Sequence, residues 1–262
     1  MKKSTLVIAL ALVALLFASC KKENKLEQQI IGKWITTDID GQAELTNNKS
    51  VITFLSTTQA IISTSRSNLS SENQGWASHL NASVVMEGNK VTLSSQPNEH
   101  ITIIYEINVR SITATNMEGT FRHITQRDGE VIDDEGPVGM RWVKLTADYQ
   151  QAVLGLWECE EISGGETYND ANGRLEFLAD GIYNFYRQDD AGQWQAVTNR
   201  EFQNYFVDGT LLATRWKNVG EPELREWWEV KNLRDNKMQW IALRTNEDGT
   251  TFEQIVDWKK VE

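Results

Sequence analysis

Cysteine is scarce in this chain, which contains only Cys20 and Cys159. Two cysteines cannot form the multi-bridge framework that stabilises small secreted domains. The sequence also has no Cys-x-x-Cys pair, which excludes the usual redox motif and the usual zinc-ribbon spacing. The protein must therefore gain its stability from a hydrophobic core, and 262 residues are enough to build one or two.

Motifs that carry catalysis or hold cofactors are absent as well. The sequence has no Gly-x-Gly-x-x-Gly, no phosphate-binding loop and no His-Glu-x-x-His. The three histidines, His79, His100 and His123, lack metal-binding spacing. The acidic runs at 133–135, 158–161 and 189–190 lack the spacing of a calcium loop, and we interpret them as solvated turns and faces. We therefore expect no enzyme activity, no catalytic residue, no metal and no cofactor.

Positive charge is in the minority, because the net charge is −11. A protein that binds nucleic acid needs a basic surface that neutralises phosphates. The sequence therefore predicts no nucleic-acid partner, and it disfavours adsorption to anionic lipid.

The longest apolar run lies near the N-terminus, between Leu6 and Phe17, behind the basic start Met1-Lys2-Lys3. This pattern is typical of a secretory signal, and the run is too short for a spanning helix. Phe17-Ala18-Ser19-Cys20 resembles the bacterial lipoprotein box. The alternative is an ordinary signal with a cysteine by chance.

The lipoprotein box implies a signal peptide over residues 1–19, a lipid anchor on Cys20 and a tether over residues 20–25. Acyl chains such as palmitate on Cys20 would attach the protein to a membrane. Lipidation of Cys20 would also leave Cys159 without an intrachain disulfide partner. No Asp follows Cys20, which by analogy favours the outer membrane of the cell envelope, with the leaflet open.

A Gly-x-Trp sequence occurs twice, at Gly32–Trp34 and again 123 residues later at Gly155–Trp157. The similarity continues, because 52–55 matches 175–178 and 141–145 matches 257–261. This repetition predicts two repeats, over 26–145 and 146–262. The connection over 147–154 is short and partly apolar, so we expect the two repeats to touch.

Both repeats show the alternation and the turn signals of antiparallel β-structure. In the second repeat the predicted strands are 157–162, 173–179, 182–187, 200–207, 210–216, 225–233, 237–245 and 251–261. In the first repeat we predict separate strands at 112–117 and 119–126 and a closing strand at 139–145. Sequential antiparallel strands favour an up-and-down barrel, which leaves no exposed edge. A β-sandwich is the alternative.

A short lead-in, a Gly-x-Trp and a meander of eight strands resemble the lipocalin family, and here two such units follow a lipoprotein box. The resemblance implies two eight-stranded barrels, each with a short N-terminal helix. It also implies that each Trp packs at the closed end of its barrel, under a basic residue of the last strand. The framework positions are then Gly32, Trp34, Lys144, Gly155, Trp157 and Lys260.

Tryptophan is unusually frequent, with ten in the chain, and most of them lie in the second repeat. Trp157 and Trp258 have counterparts in the first repeat and belong to the shared framework. Trp227 and Trp228 are adjacent, so on a strand they must point to opposite faces. Inward aromatic side chains can line an apolar pocket. The candidate ligand-binding residues are Phe202, Phe206, Trp228 and Trp240.

Two functional hypotheses follow. In the first, the protein is a membrane-anchored lipoprotein that binds a small hydrophobic or amphipathic ligand in a barrel, most plausibly the second. In the alternative, filled barrels form a surface interaction module that binds protein or glycan through exposed aromatic residues such as Trp194 and Trp227. Protein partners and oligomeric state stay open.

Overall fold

The computed structural model describes residues 25–65, 76–164 and 173–262. The predicted signal peptide, the anchor Cys20 and most of the tether lie outside the described residues. Within the described ranges, no helix combines the length and the hydrophobicity that crossing a membrane requires.

The described chain is all-β and forms two barrel-like domains, as the alternation and the repeat predict. The first domain begins with a short helix, α1 (Lys25–Ile30). Its strands are β1 (Gly32–Ile39), β2 (Gln42–Ala43), β3 (Ser50–Phe54), β4 (Gln59–Thr64), β5 (Ala77–Glu87), β6 (Lys90–Ser95), β7 (Ile101–Ile112), β8 (Asn116–Arg127) and β9 (Glu130–Leu145). A 3-10 turn over Thr46–Asn48 connects β2 to β3.

The second domain consists of strands and turns. Its strands are β10 (Gly155–Ser163), β11 (Gly173–Phe177), β12 (Tyr183–Gln188), β13 (Trp194–Ala196), β14 (Arg200–Asp208), β15 (Leu211–Asn218), β16 (Glu223–Arg234), β17 (Lys237–Thr245) and β18 (Thr251–Lys260).

The first sheet closes into an antiparallel barrel of 8 strands, because β1 pairs with both β3 and β9. The second sheet curls in the order β13-β12-β11-β10-β18-β17-β16-β15-β14. Its two sides meet at one bridge, Ile182–Asn204, and at a hydrogen bond of 2.8 Å from the Tyr205 amide to the Gly181 carbonyl. The second domain is thus a curled half-barrel rather than a fully laddered barrel, and neither domain is a sandwich of two sheets.

Several element predictions need correction. The lead-in of the second domain is a single turn instead of the predicted helix. The Val153 amide closes this turn by donating a hydrogen bond of 3.0 Å to the Tyr149 carbonyl. The predicted strand at 112–117 does not exist by itself, because the chain turns there between β7 and β8. Strand β9 begins at Glu130, nine residues before the predicted 139, and β13 was not predicted.

The Gly-x-Trp motif has the same structure in both domains. The Trp34 indole N–H donates to the Ile30 carbonyl at 2.6 Å, and the Trp157 indole donates to the Val153 carbonyl at 2.7 Å. Lys144 Nζ lies 5.1 Å from the centroid of the Trp34 ring, and Lys260 Nζ lies 5.3 Å from that of Trp157. Each tryptophan thereby fastens its lead-in across one end of its domain.

The glycine of the motif has a backbone reason. Gly32 and Gly155 have φ angles of 121° and 109°, a region that side chains with a Cβ rarely adopt. A Cβ would also lie 2.6 Å from Lys144 Cε at the first position and 3.1 Å from Lys260 Cε at the second. Glycine therefore leaves room for the lysine stem that crosses the tryptophan.

The two domains are in contact, as the short connection predicts. Lys33 of β1 forms ion pairs with Asp208, at the end of β14, and with Asp148 of the connection. Asp208 is 1% exposed and also accepts a hydrogen bond of 2.6 Å from Ser63. An apolar cluster between the domains joins side chains of β1 and β3 to side chains of β14 and β15: Ile35, Val51, Phe206, Leu211 and Ala213.

Candidate functional site

A cavity of about 390 Å³ lies inside the second domain. Its wall is mostly apolar and includes six aromatic rings from five strands: Tyr183, Phe185, Trp216, Trp228, Trp240 and Trp258. The Trp240 ring lies 5.6 Å from that of Trp228 and 4.6 Å from that of Trp258, measured between centroids. These three indoles form a continuous aromatic surface on one side of the cavity.

The alternation of the strands places these rings. On β17, Met238, Trp240 and Ala242 face the interior and are buried. Register then pairs Trp240 with Val256 and Met238 with Trp258 on β18. Since residues opposite each other in an antiparallel pair share a face, the inward face of β17 continues into β18.

Four polar atoms in this wall are buried and have no hydrogen-bond partner within the described residues. They are the indole nitrogens of Trp240 and Trp258, Nε of Arg200 and Oε1 of Gln254. Trp240 and Gln254 are each 2% exposed. A buried polar atom without a partner costs about 1–3 kcal/mol, so such groups normally have a reason to exist. A bound molecule that pairs with them would recover that cost.

Arg200 is the cation best held in the cavity wall. Its Nη1 donates to Gln203 Oε1 at 2.7 Å and to the Tyr183 hydroxyl at 3.3 Å. Its guanidinium lies 5.3 Å from the Phe185 ring and 5.4 Å from the Trp216 ring. Burial lowers the pKa of Arg200 from its ordinary value, yet arginine stays charged in proteins. Arg187 and Glu226 also line the cavity, which thus combines apolar walls with two arginines and one carboxylate.

Cys159 also lines the cavity and is 7% exposed. Burial raises the pKa of its thiol to about 11. The thiol is therefore protonated at neutral pH, and a thiolate nucleophile is not available there. Cys159 contributes a small apolar surface, as its position on the face of Trp157 predicts.

Of the four candidate ligand-binding residues, the structure places Trp228 and Trp240 in the cavity wall. Phe206 instead packs against Trp76 of the first domain, with ring centroids 5.0 Å apart. Phe202 lies beside Arg215, whose guanidinium is 5.4 Å from the ring centroid. Neither phenylalanine lines the cavity.

A bulge in β14 explains this difference. The pairing with β15 shifts between Arg200 and Phe202. After the bulge the odd-numbered residues Tyr205 and Val207 face the core of the second domain, so Phe202 and Phe206 face out. Before it, the even-numbered Arg200 faces in. A bulge changes which residues face inward, and one sequence does not reveal where it lies.

Trp227 and Trp228 do point to opposite faces. Trp228 is 4% exposed in the cavity wall, whereas the Trp227 indole donates to the Ser65 carbonyl of the first domain at 2.6 Å. Trp227 is therefore a contact between domains. Sequence reasoning missed Arg200 and Gln254 as site residues. The alternation of β18 would have found Gln254, two residues before the inward Val256.

The framework residues lie elsewhere. Trp34 and Trp157, with Gly32, Gly155, Lys144 and Lys260, close one end of each domain, and none of the six lines the cavity. The first barrel is filled by buried side chains, among them Trp34, Phe54, Phe121 and Trp142. His123, Asp133 and Glu135 are brought together in it and could hold a metal ion.

Comparison with known proteins does not assign a family. A scan against protein-family models gave no match, and a search of curated proteins gave none. One similar solved structure is a protein of unknown function from the DUF3598 family of Nostoc punctiforme PCC 73102. The two sequences are 11% identical, the alignment covers 92% of this chain and 100% of that chain, and the TM-score is 0.27.

Two further structures are mutants of the vaccine antigen transferrin binding protein B from Haemophilus parasuis Hp5. The double mutant is 10% identical, with 88% of this chain and 59% of that chain covered and a TM-score of 0.25. The single mutant is 8% identical, with 87% and 75% covered and a TM-score of 0.24. At these values the similarity carries no argument about function, which must come from the site itself.

Proposed function

We propose that this protein is a lipid-anchored binding protein of the cell envelope whose second domain holds a small amphipathic ligand. The observation that supports the proposal is the cavity lined by indoles, with Trp240, Trp258, Arg200 and Gln254 each presenting a polar atom without a partner among the described residues. The lipoprotein box at Cys20 supports the anchor. The first domain, with its filled core, then serves as a scaffold for the second.

The size of the cavity limits the ligand. About 390 Å³ lies near the lower end of small-molecule pockets, which span roughly 300–1,000 Å³. A compact molecule fits such a space better than an extended lipid chain. The indoles of Trp228, Trp240 and Trp258 favour a flat or ring-shaped apolar body, because offset stacking adds about 0.5–1.5 kcal/mol per ring pair.

The polar atoms define the other part of the ligand. Trp240 Nε1, Trp258 Nε1 and Arg200 Nε are all donors, so they need an acceptor such as a carbonyl or carboxylate oxygen. A carboxylate on Arg200 would gain a charge-assisted hydrogen bond, which is stronger than a neutral one. We therefore expect a ligand with an apolar body and one oxygen-bearing end.

Titration of the intrinsic tryptophan fluorescence tests the proposal. The probes are a set of aromatic carboxylates and short fatty acids, with the matching hydrocarbons as apolar references. We expect saturable quenching or a spectral shift, and tighter binding of the carboxylates. If no probe gives a saturable change, the proposal is wrong.

A matched pair of variants locates the binding. Arg200→Met removes one of the two arginines that line the cavity but keeps a similar stem. It should weaken the binding of carboxylates at least tenfold while leaving the binding of hydrocarbons unchanged. Arg174→Met is the control, because Arg174 pairs with Glu158 through a hydrogen bond of 2.8 Å and does not line the cavity. An equal loss of carboxylate affinity in both variants would show that the carboxylates do not bind in the cavity.

A surface interaction module is the second candidate, and Trp194 is the observation that favours it. This indole is half-buried on β13, with the Arg174 guanidinium 4.1 Å from its ring centroid. Trp227 is no longer a candidate, since it contacts the first domain. Protein or glycan binding that Trp194→Ala abolishes, in a chain without saturable probe binding, would favour this function.

A further inference from the structure

Three side chains that could ligate a metal meet in the first barrel, near the turn between β8 and β9. His123 comes from β8, and Asp133 and Glu135 come from β9; one ligand atom from each lies within 4.8 Å of the others. Register explains the meeting, because His123 pairs with Glu135 and Thr125 with Asp133. These positions lie towards the β8–β9 turn, whereas Trp34 pairs with Lys144 at the opposite end of β9.

The histidine is buried, whereas the two carboxylates are partly exposed, with the Asp133 side chain 38% exposed. His123 is 1% exposed, Thr125 is 3% exposed, and the His123 ring lies 5.2 Å from that of Tyr105. His123 Nδ1 faces Asp133 Oδ2 at 3.6 Å, which is too long for a hydrogen bond. Asp133 Oδ2 is buried and has no hydrogen-bond partner in the described part of the chain. A positive ion between the facing atoms would satisfy that carboxylate.

We propose that His123, Asp133 and Glu135 bind one divalent transition-metal ion, with zinc as the ion to test. An imidazole nitrogen with two carboxylate oxygens is a ligand set that suits zinc, whereas calcium takes oxygen ligands only. Zinc bonds of about 2.0–2.2 Å require the three ligand atoms to close in slightly from their present spacing. A water molecule can complete the tetrahedron.

Thr125 orients the histidine for this role. Its Oγ1 lies 3.3 Å from His123 Nε2, on the side of the ring away from Asp133. If Nε2 carries the proton and donates it to Thr125, Nδ1 presents its lone pair towards the two carboxylates. Ligating histidines usually have such a partner on the other ring nitrogen, and its loss weakens metal affinity by about 10–100-fold.

The alternative without a metal is a histidine that pairs directly with the carboxylates. Calorimetric titration of the chelator-treated full chain with zinc chloride separates the two. We expect one tight site per chain, and a substitution of cobalt(II) that gives the absorption of a four-coordinate ion. A chain that binds no zinc, or binds it only weakly at many sites, overturns the proposal.

Variants assign the site. Asp133→Asn and Glu135→Gln preserve side-chain shape, and each should weaken zinc binding at least tenfold with an unchanged circular dichroism spectrum. Thr125→Val should weaken it by roughly 10–100-fold without removing a ligand. Zinc affinity that survives both carboxylate variants overturns the proposal.

His100→Gln is the matched control. His100 is a surface histidine beside two carboxylates, 2.8 Å from Asp128 and 3.3 Å from Glu99, with its side chain 62% exposed. The His100→Gln variant should keep the tight zinc site. Cys20 and Cys159 are present in every variant, so zinc binding by thiols cannot produce a difference between the variants. Loss of the tight site in His100→Gln, but not in His123→Gln, would place the ion on the surface and overturn the assignment.

Discussion

At the scale of single residues, the repeated Gly-x-Trp acts as a fastening rather than as a binding motif. Trp34 is 0% exposed and Trp157 is 1% exposed, and each indole donates to the lead-in four residues upstream. A lysine ammonium group lies over each ring. Because both copies have the same contacts, the motif explains what the domains share and not what distinguishes them.

Trp157→Ala should destabilise the second domain by about 3–5 kcal/mol, because it leaves a large void and an unpaired Val153 carbonyl. Denaturant unfolding followed by circular dichroism measures the loss. Trp194→Ala is the control and should cost less than about 1 kcal/mol, since this indole is half-buried and mainly loses its contact with Arg174. A Trp157→Ala protein that keeps full stability but loses ligand would show that the motif binds.

Gly155→Ala should cost about 1–3 kcal/mol, because alanine must adopt the φ of 109° at this position. The double variant Gly155→Ala/Lys260→Ala separates strain from crowding, since it removes the side chain that a Cβ would meet at 3.1 Å. We expect the double variant to remain less stable than Lys260→Ala, because the strain at this φ is still present. Full recovery to the stability of Lys260→Ala would assign the cost to crowding instead.

At the scale of elements, the sequence predicts strands well where alternation is regular. Strand β17 has the predicted bounds, Lys237–Thr245, and inward residues at every second position. The turn at Asp128-Gly129 connects β8 to β9, and the turn between β14 and β15 is Gly209-Thr210, because Asp208 is still part of β14. Regular pleating with one buried face leaves a clear period in the sequence.

Prediction fails where a strand carries residues that strands disfavour. The start of β9 contains Asp133, Asp134 and Pro137, which strands disfavour, so the sequence predicts no strand before 139. Pairing with β8 overrides those preferences and brings Asp133 and Glu135 to His123. The β14 bulge accounts for a different error, the placement of Phe202 and Phe206 in the cavity. Arg200 precedes the bulge and has the same parity as these two residues, so regular alternation from them would have included it. Half of the cavity prediction, Trp228 and Trp240, came from alternation alone.

An ion pair between β16 and the start of β3 should make stability depend on acid pH. Lys49 pairs with Glu229, and their side chains are 10% and 15% exposed. Burial alone would raise the pKa of Glu229, but the charge of Lys49 and the hydrogen bond from Lys231 outweigh it, so this pKa lies below 4.5. The stabilisation is thus present above pH 4.5 and is lost as the pH falls through the lowered pKa.

Glu229→Gln should therefore flatten the acid limb of the stability curve below pH 4.5 and lower stability at neutral pH. Thermal unfolding at a series of pH values measures both effects. Glu201→Gln is the control, because Glu201 pairs with Lys217 on the surface, where ion pairs contribute little. An acid limb that is the same in wild type and Glu229→Gln would contradict the role of this pair.

At the scale of the whole molecule, the contacts between the domains set how independently they unfold. Burial alone would lower the pKa of Lys33, but its hydrogen bonds to Asp148 and Asp208 outweigh it and the pKa is raised. The charge on Lys33 therefore stabilises the interface below its ordinary pKa of 10.5, and this contribution is lost as the pH rises through the higher folded value. The apolar cluster and the Trp227–Ser65 hydrogen bond add to it.

This interface predicts that the two domains unfold together, in one calorimetric transition. Asp208→Ala removes the carboxylate that joins Lys33 and Ser63, and should cost about 3 kcal/mol, the lower end for one partner of a buried pair, because Lys33 keeps Asp148. The weakened interface should split the transition into two. Asp248→Ala, in the exposed β17–β18 turn, is the control and should leave a single transition. If Asp208→Ala also shows a single transition with an unchanged enthalpy, the apolar cluster rather than the Asp208 carboxylate couples the two domains.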